Sequence, residues 1–328
     1  MNQPLRIGIL GAARIAPFAL VKPAREVPDV ELLAIAARDP ERAREFADEH
    51  GVPLVFPSYQ ALIDDPDIDA IYNPLPNSLH AEWTIRSLEA GKHVLCEKPL
   101  TSNAQEAQLV ADVARRSGRV CMEAFHWRYH PLARRMLEVI ASGELGTVRR
   151  IETFMCVPLP LPNDIRFDLS LSGGAMMDTG CYAVSMMRHL AGAEPRVVNA
   201  QALLIREGVD RRMEAEVAFE DGRTGHLTCS LLSSTLLRVE AKVIGDRGTM
   251  TAFNPAAPQI LSWLTVESDG KKRREKVERT ATYTHQLRAF VDAVLLGTSF
   301  PTTPEDAVKN MQVIDDVYRA AGMSPRGT

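Results

Sequence analysis

The stretch LRIGILGAARIA, residues 5–16, decides the fold of the first half of the chain. The apolar run Leu5–Leu10 predicts a strand, and it leads directly into a glycine turn. Aligned on the end of that strand, the dinucleotide fingerprint G-x-G-x-x-G/A falls on Gly11, Ala13 and Ala16. A glycine here allows a tight turn, after which the backbone N–H groups of the next helix can face a pyrophosphate. The stretch therefore predicts a dinucleotide site formed by Gly11, Ala12, Ala13, Arg14 and Ile15.

The same alternation of short apolar runs and longer amphipathic segments continues to residue 124. It is typical of an α/β fold with a doubly wound parallel sheet. We therefore expect a Rossmann domain over residues 1–124, with a first helix over Arg14–Val27. Its further strands are predicted at Val30–Arg38, Leu54–Phe56, Ala70–Asn73, His93–Cys96 and Val120–Met122.

The pattern changes after residue 125. Strand-like runs separated by turn-like connections, such as Glu220-Asp221-Gly222, favour antiparallel pairing. We expect a C-terminal α+β domain on an open antiparallel sheet over residues 125–328, and we interpret Lys271–Lys276 as a solvated hairpin. The predicted strands are Arg150–Val157, Arg196–Ile205, Met213–Phe219, Thr224–Leu232, Leu237–Ile244 and Leu261–Val266; the predicted helices begin at Pro131, Thr284 and Pro304.

The end of the second strand indicates which dinucleotide is bound. A carboxylate for the ribose is expected about 20–25 residues past the glycines. Ala37 occupies that place, and Arg38 and Arg42 follow it. Without the carboxylate a 2′-phosphate meets no repulsion, and each guanidinium can add a charge-assisted hydrogen bond of roughly 1.5–3 kcal/mol. We favour NADP over NAD, while the two arginines could also be ordinary surface residues.

Composition excludes several function classes. The 328 residues carry a net charge of −4, and no apolar run approaches the ~20 residues that cross a bilayer. Neither a nucleic acid nor a membrane is therefore an expected partner. The five cysteines form no CxxC pair, so we expect buried reduced thiols and no metal site. The apolar stretch Leu5–Leu10 has no small-residue cleavage site and leads into the glycine turn, so we expect a cytoplasmic protein.

Three further motifs carry a family resemblance. They are GKHVLCEKPL at 91–100, PLPNSLH at 74–80 and SGGAMMDTGCY at 172–182. Together they resemble the glucose–fructose oxidoreductase/inositol dehydrogenase/MocA family, over nearly the whole chain. Tyr182, where inositol dehydrogenase-like members carry histidine, is similar to the branch of dimeric dihydrodiol dehydrogenases and NADP-dependent xylose dehydrogenases. The resemblance implies hydride transfer between NADP(H) and a sugar, polyol or cyclic diol, with Lys98 near the nicotinamide and Asp178 orienting a substrate hydroxyl.

The chemistry of such a reaction also points to Lys98 and Tyr182. A free tyrosine, with a pKa of about 10, needs a shift of about three units, or ~4 kcal/mol, to act as a base near pH 7. A lysine ammonium ~4 Å away supplies about that much at an effective dielectric near 20. We therefore predict Lys98 and Tyr182 as the acid/base pair.

The remaining candidates are weaker signals with structural alternatives. Tyr182 could be a core tyrosine, Asp178 a helix cap, His80 a structural histidine, and Arg128 and Arg166 members of salt bridges. For the cofactor we predict contacts from Leu75, Pro76, Asn77, His80, Glu97, Lys98, Arg166 and Tyr283; for the substrate, from Lys98, Arg128, Arg166, Asp178 and Tyr182.

Alternative functions stay open at this point. They are a keto-sugar reductase acting on a sugar nucleotide, an enzyme that retains its cofactor between two sugars, and a non-catalytic NADP-sensing regulator on the same fold. Because the antiparallel sheet has a broad face to cover, we expect a homodimer or homotetramer formed through it.

Overall fold

The computed structural model describes residues 3–161 and 164–328, which divide into two compact units. The first takes the described residues up to Thr101, then Gln105–His126 and Tyr283–Val308; the second takes Ser102–Ala104, Trp127–Thr282 and Lys309–Thr328. The expected division at 124/125 thus misses that a late segment returns to the first unit. There the Thr302 hydroxyl donates to the Glu123 carbonyl at 2.7 Å, and the Thr284 hydroxyl contacts Glu26 at 3.1 Å.

The first unit contains a six-stranded parallel sheet. Its strand order, β3-β2-β1-β4-β5-β6, confirms the predicted Rossmann topology. The point at which the order of successive strands along the sheet reverses lies between β1 and β4. The strands are β1 (Leu5–Leu10), β2 (Val30–Ala36), β3 (Leu54–Phe56), β4 (Ala70–Asn73), β5 (His93–Cys96) and β6 (Cys121–Glu123); the helices are α1 (Lys22–Ala24), α2 (Pro40–His50), α3 (Tyr59–Ile63), α4 (Asn77–Glu89) and α5 (Ala104–Ser117).

The first helix is shorter than the predicted Arg14–Val27. It begins as a π-helical turn, Pro17–Val21, and continues into α1. Pro17 stands at the first helical position, where its missing N–H costs nothing. Residues 12–14 are consequently left as an open loop between strand and helix.

The second unit is built on an eight-stranded sheet of order β14-β13-β12-β11-β7-β10-β9-β8. All neighbours are antiparallel except β7 and β10, so the predicted open antiparallel sheet is confirmed. Its elements are α6 (Pro131–Ala141), β7 (Val148–Cys156), α7 (Cys181–Ala191), β8 (Arg196–Arg206), β9 (Val209–Ala218), β10 (Thr224–Ser230), β11 (Arg238–Gly245), β12 (Gly248–Phe253), β13 (Trp263–Ser268) and β14 (Lys271–Lys276). Two helices follow in the chain: α8 (Thr282–Leu296), which belongs to the first unit from Tyr283 onward, and α9 (Pro304–Ala320), which belongs to the second unit from Lys309 onward.

Two strands of this sheet, β12 and β14, are absent from the sequence prediction. The basic run Lys271–Lys276 forms β14, the edge strand of a hairpin with β13, and most of it is exposed. Its interpretation as a solvated hairpin is confirmed. All five cysteines are free and buried, and no helix among the described residues is both long and apolar enough to span a membrane.

Candidate active site

The turn after β1 has a backbone conformation at Gly11 that favours glycine. Gly11 has φ +88°, and its N–H donates to the Ala36 carbonyl at 2.6 Å, which ties the ends of β1 and β2 together. A Cβ at Gly11 would lie 3.0 Å from Leu75 Cδ2. The backbone therefore makes a close turn at the carboxyl edge of the sheet, where open α/β folds bind their ligands. Of the other predicted loop residues, Ala12, Ala13 and Ile15 are half-buried and Arg14 is exposed.

Two guanidinium groups lie beside this turn. Arg42 Nη2 donates to the Ala12 carbonyl at 3.1 Å, and the Arg38 side chain is exposed after the end of β2. Burial raises the pKa of the Tyr59 hydroxyl, while a hydrogen bond from the Arg38 backbone opposes that rise. Asp39 caps α2, because its Oδ1 accepts from the Glu41 N–H at 3.0 Å. The surface next to the glycine turn is thus cationic, which fits a phosphate group.

The buried ring of His80 lies between two backbone carbonyls of the first unit, and a neutral imidazole donates a hydrogen bond to one of them. Nδ1 lies 2.7 Å from the Pro99 carbonyl and Nε2 lies 2.7 Å from the Leu75 carbonyl, with the side chain 1% exposed. Burial, and secondarily the Lys98 charge, lowers the pKa of His80 to about 4. In this structure the ring joins the loop after β4 to the turn after β5, so the structural alternative describes it better than a direct cofactor contact. Pro76 and Asn77 open α4 in the same loop.

The turn after β5 carries Glu97, Lys98 and Pro99, with a cis peptide bond between the last two. Glu97 is buried and accepts a hydrogen bond from the Tyr72 hydroxyl at 2.9 Å. Burial, followed by the charge of Glu97 and then by this hydrogen bond, raises the pKa of Tyr72 well above its ordinary value. The Glu97 carboxylate is therefore engaged within the sheet, and the half-buried Lys98 stands at its carboxyl edge.

Tyr283 lies against the ring of His126, a residue that is not among the predicted site residues. The ring centroids of Tyr283 and His126 are 4.1 Å apart. Burial, together with the Lys98 charge, lowers the pKa of His126 to about 3, which keeps its ring neutral at pH 7. His126 follows shortly after the end of β6, at the carboxyl edge of the sheet. That position is the sequence signal by which His126 could have been predicted as a neighbour of Tyr283.

In the second unit, a helical segment carries both Asp178 and Tyr182. A π-helical turn, Met176–Gly180, runs directly into α7, so the two residues lie about one turn apart along one helix face. Tyr182 is 6% exposed and Asp178 is half-buried. π-helical turns within helices are frequent at functional sites.

Arg166 joins Asp178 to a second carboxylate. Its Nε lies 3.1 Å from Asp178 Oδ2, and its Nη1 lies 3.0 Å from Asp164 Oδ1. The charge of Asp178 is the largest cause of the raised pKa of Arg166. The predicted salt-bridge role of Arg166 is thus present, and the arginine also fixes Asp178. Arg128 is half-buried, with its guanidinium 5.8 Å from the Trp127 ring centroid.

The predicted site residues fall into two groups. The first unit holds the glycine turn, the two arginines, the Leu75–Asn77 loop, Glu97, Lys98 and Tyr283; the second holds Arg128, Arg166, Asp178 and Tyr182. The pairing of Lys98 with Tyr182 stays a prediction.

Comparison with known proteins assigns the chain to a family. Residues 5–125 match the model of an oxidoreductase family with an NAD-binding Rossmann fold, and residues 133–251 match the GFO/IDH/MocA C-terminal domain. D-xylose 1-dehydrogenase (NADP(+)) 2 of Haloferax volcanii is 38% identical over 97% of both chains. Trans-1,2-dihydrobenzene-1,2-diol dehydrogenase of Xenopus tropicalis is 30% identical, covering 83% of this chain and 81% of its own.

A solved structure extends the likeness to three dimensions. KijD10, a 3-ketoreductase from Actinomadura kijaniata in complex with NADP and TDP-benzene, superposes with a TM-score of 0.91 at 29% identity, over 97% of this chain and 98% of its own. The sheet order, the glycine turn and these matches all indicate the same family. The protein belongs to the GFO/IDH/MocA oxidoreductase family, in the branch that includes xylose and dihydrodiol dehydrogenases.

Proposed function

We propose that the protein is an NADP-dependent oxidoreductase that transfers a hydride to or from a sugar, polyol or cyclic diol. The observation that carries the proposal is the place of Lys98, at the carboxyl edge of the Rossmann sheet that also presents the glycine turn. Relatives that act on D-xylose and on a dihydrodiol support the substrate class.

The residues of the first unit fit the adenine-nucleotide part of NADP. Gly11, at φ +88°, makes the tight turn after which backbone N–H groups can face a pyrophosphate. Arg38 and Arg42 would bind the 2′-phosphate, and Leu75, Pro76 and Asn77 would border the nucleotide. When bound, the cofactor supplies the hydride acceptor or donor at its nicotinamide ring.

The protein's own residues would manage the proton. Tyr182 takes the proton of the substrate hydroxyl in the oxidative direction and returns it to the carbonyl oxygen in the reductive one. An ammonium ~4 Å away lowers the cost of a phenolate by up to ~4 kcal/mol, and Lys98 would supply that charge. Asp178, fixed by Arg166, accepts a hydrogen bond from a neighbouring substrate hydroxyl and so orients the reacting carbon.

Substitution of the two proposed acid/base residues tests this function. Lys98→Met and Tyr182→Phe should each lower turnover about 10²–10⁴-fold, followed at the reduced-nicotinamide absorbance with NADP and NAD in parallel. NADPH binding should change less than about threefold, since neither side chain holds the adenine nucleotide. Lys309→Met, at an exposed lysine of α9, is the control. Unchanged turnover in Tyr182→Phe would remove that residue from the mechanism.

A second candidate function is a keto-sugar reductase that takes a sugar nucleotide. The fold's likeness to a 3-ketoreductase solved with TDP-benzene favours it. A substrate panel that contains free aldoses, cyclic diols and nucleotide-linked keto-sugars separates the two. NADPH binding without turnover of any panel member would support a non-catalytic NADP-sensing regulator instead.

We further propose a cytoplasmic homodimer or homotetramer formed through the eight-stranded sheet. Thr153 of β7 bonds to α7, so the alternate residue Phe154 faces the opposite side of the sheet, where Arg238 stacks on its ring at 3.3 Å. Leu203 and Leu204 of the edge strand β8 are about half exposed. Light scattering at micromolar concentration tests the assembly, and a monomer alone would exclude it.

The cytoplasmic location is supported by the cysteines, which are all buried and form no disulfide, as fits a reducing compartment.

A further inference from the structure

The second unit contains a buried ionic cluster that the proposed mechanism does not use. It consists of Asp210 in β9, Tyr318 in α9 and Arg326 near the C-terminus. Asp210 is 0% and Arg326 3% exposed. Removing two charges from water costs several kcal/mol per ion, so such a pair persists only where further hydrogen bonds satisfy it.

Two bonds within the cluster join its three side chains, and two more join the cluster to the backbone of residues 173–176. Asp210 Oδ1 accepts from Arg326 Nη2 at 2.8 Å and from the Tyr318 hydroxyl at 3.0 Å. Its other oxygen, Oδ2, accepts from the Met176 N–H at 2.7 Å. Arg326 Nε in turn donates to the Gly173 carbonyl at 2.7 Å. The cluster therefore binds one backbone group before Gly174 and one after it, and the second, at Met176, lies two residues before Asp178.

The backbone between Gly173 and Met176 leaves no room for a side chain at Gly174, because the cluster lies against it. Gly174 has φ +134°, which strongly favours glycine. A Cβ there would lie 2.2 Å from Asp210 Oδ1 and 2.8 Å from Arg326 Nη2. Met176 is the first residue of the π-helical turn, and its N–H has no partner within a helix at that position. Asp210 thus acts as a cap supplied from a distant strand, with its charge at the favourable end of the helix.

The helix that begins at Met176 is also held further along. Asn310 Nδ2 donates to the Cys181 carbonyl at 3.3 Å, and the Thr153 hydroxyl donates to the Ala183 carbonyl at 3.0 Å. These two bonds flank Tyr182. The helix around Tyr182 is therefore held by bonds outside the cluster, and a displacement at the helix start falls mainly on the turn that carries Asp178.

We propose that Asp210 and Arg326 are positioning residues that set where the helix carrying Asp178 and Tyr182 begins. This inference rests on the proposed function for its catalytic meaning. A misplacement of about 1 Å at a reacting group can cost on the order of 10²-fold in rate. Loss of the cluster should therefore lower kcat while the adenine-nucleotide site of the first unit stays intact.

The test uses three cluster variants in the full chain: Asp210→Asn, Arg326→Met and Tyr318→Phe. In Asp210→Asn and Arg326→Met, kcat should fall about 10- to 100-fold, with the Kd for NADPH changed less than about threefold. A fourth variant, Arg326→Lys, serves as the rescue: it should recover part of the kcat lost in Arg326→Met, because it restores the charge beside Asp210. Tyr318→Phe removes one bond and no charge, so it keeps the test available if the charge variants do not fold.

A second readout does not depend on activity. Hydrogen exchange of the amides at residues 174–182 should be faster in each cluster variant and unchanged in Glu275→Gln, which breaks a different ion pair of the same unit. If wild-type protein turns over no substrate, the proposed function fails while exchange still tests the positioning. If folded Asp210→Asn and Tyr318→Phe keep wild-type kcat and wild-type exchange at residues 174–182, the positioning role is wrong.

Discussion

His80 should make the Rossmann unit sensitive to acid. Its folded-state pKa is about 4, lowered from 6.5 mainly by burial. Between these two values the unfolded chain binds more protons than the folded one, so stability falls as the pH drops from about 6.5 to about 4 and levels off below. At 1.36 kcal/mol per unit, His80 alone accounts for a loss of about 3 kcal/mol, a large share of the ~5–15 kcal/mol of a typical domain.

Urea unfolding between pH 7.5 and 4, compared with His80→Gln, isolates this contribution. His93 and His126, whose pKa values fall to about 4 and about 3, titrate in the same window in both proteins. The variant is less stable at pH 7.5, but its loss on acidification should be about 3 kcal/mol smaller. An NMR titration of the His80 ring gives the direct value. A midpoint above 6.5 would mean that the two carbonyls 2.7 Å away hold an imidazolium, and it would refute the reasoning.

Three further predictions concern single side chains. Arg42→Gln should weaken NADPH binding about tenfold or more and leave NADH binding unchanged, by fluorescence titration, because a charge-assisted bond is worth ~1.5–3 kcal/mol; equal weakening of both would contradict a 2′-phosphate contact. Gly11→Ala should abolish dinucleotide binding and lower the melting temperature, given φ +88° and the 3.0 Å approach to Leu75. Glu275→Gln should cost about 1 kcal/mol at pH 7 in urea unfolding. Bonding to Arg135 lowers the pKa of Glu275 from 4.5 to about 2, so wild type should lose this ~1 kcal/mol as the pH falls from about 4.5 to 2, and the variant should not. The contribution is smaller than the full pKa shift because Arg135 is 41% exposed and solvent screens the pair.

The parallel sheet was predictable because its strands are local apolar runs. Observed β3, β4 and β5 coincide with the predicted Leu54–Phe56, Ala70–Asn73 and His93–Cys96. Strands buried on both faces, such as β4, leave such runs in the sequence; the edge strand β3 is also an apolar run, although Leu54 and Val55 are exposed. β14 leaves none: Lys271–Lys276 is an edge strand whose side chains are mostly solvated, and its pairing with β13 depends on the turn at Asp269-Gly270.

Side-chain partners far apart in sequence were not predictable. Glu97 bonds to Tyr72, 25 residues upstream, because β4 and β5 are neighbours in the sheet. Asp210 and Arg326 are 116 residues apart. Neither pair has a local spacing that marks it, since only the folded topology decides which strand ends and helix ends meet. The sequence therefore indicates which residue types could do chemistry, while the contacts that hold them come from the structure.

The buried charges of the second unit are better explained by geometry than by stability. Replacing a buried ion pair by well-packed apolar residues is often neutral or stabilising, so stability alone gives no reason to keep Asp210 and Arg326. An apolar pair could not accept from the Met176 N–H or donate to the Gly173 carbonyl, and both backbone groups would lose their partners. The specific property of the ionic cluster is that it binds two backbone groups three residues apart at a fixed separation. On our proposal, that property sets where the following helix begins, and hence where the side chain of Asp178 lies within its unit.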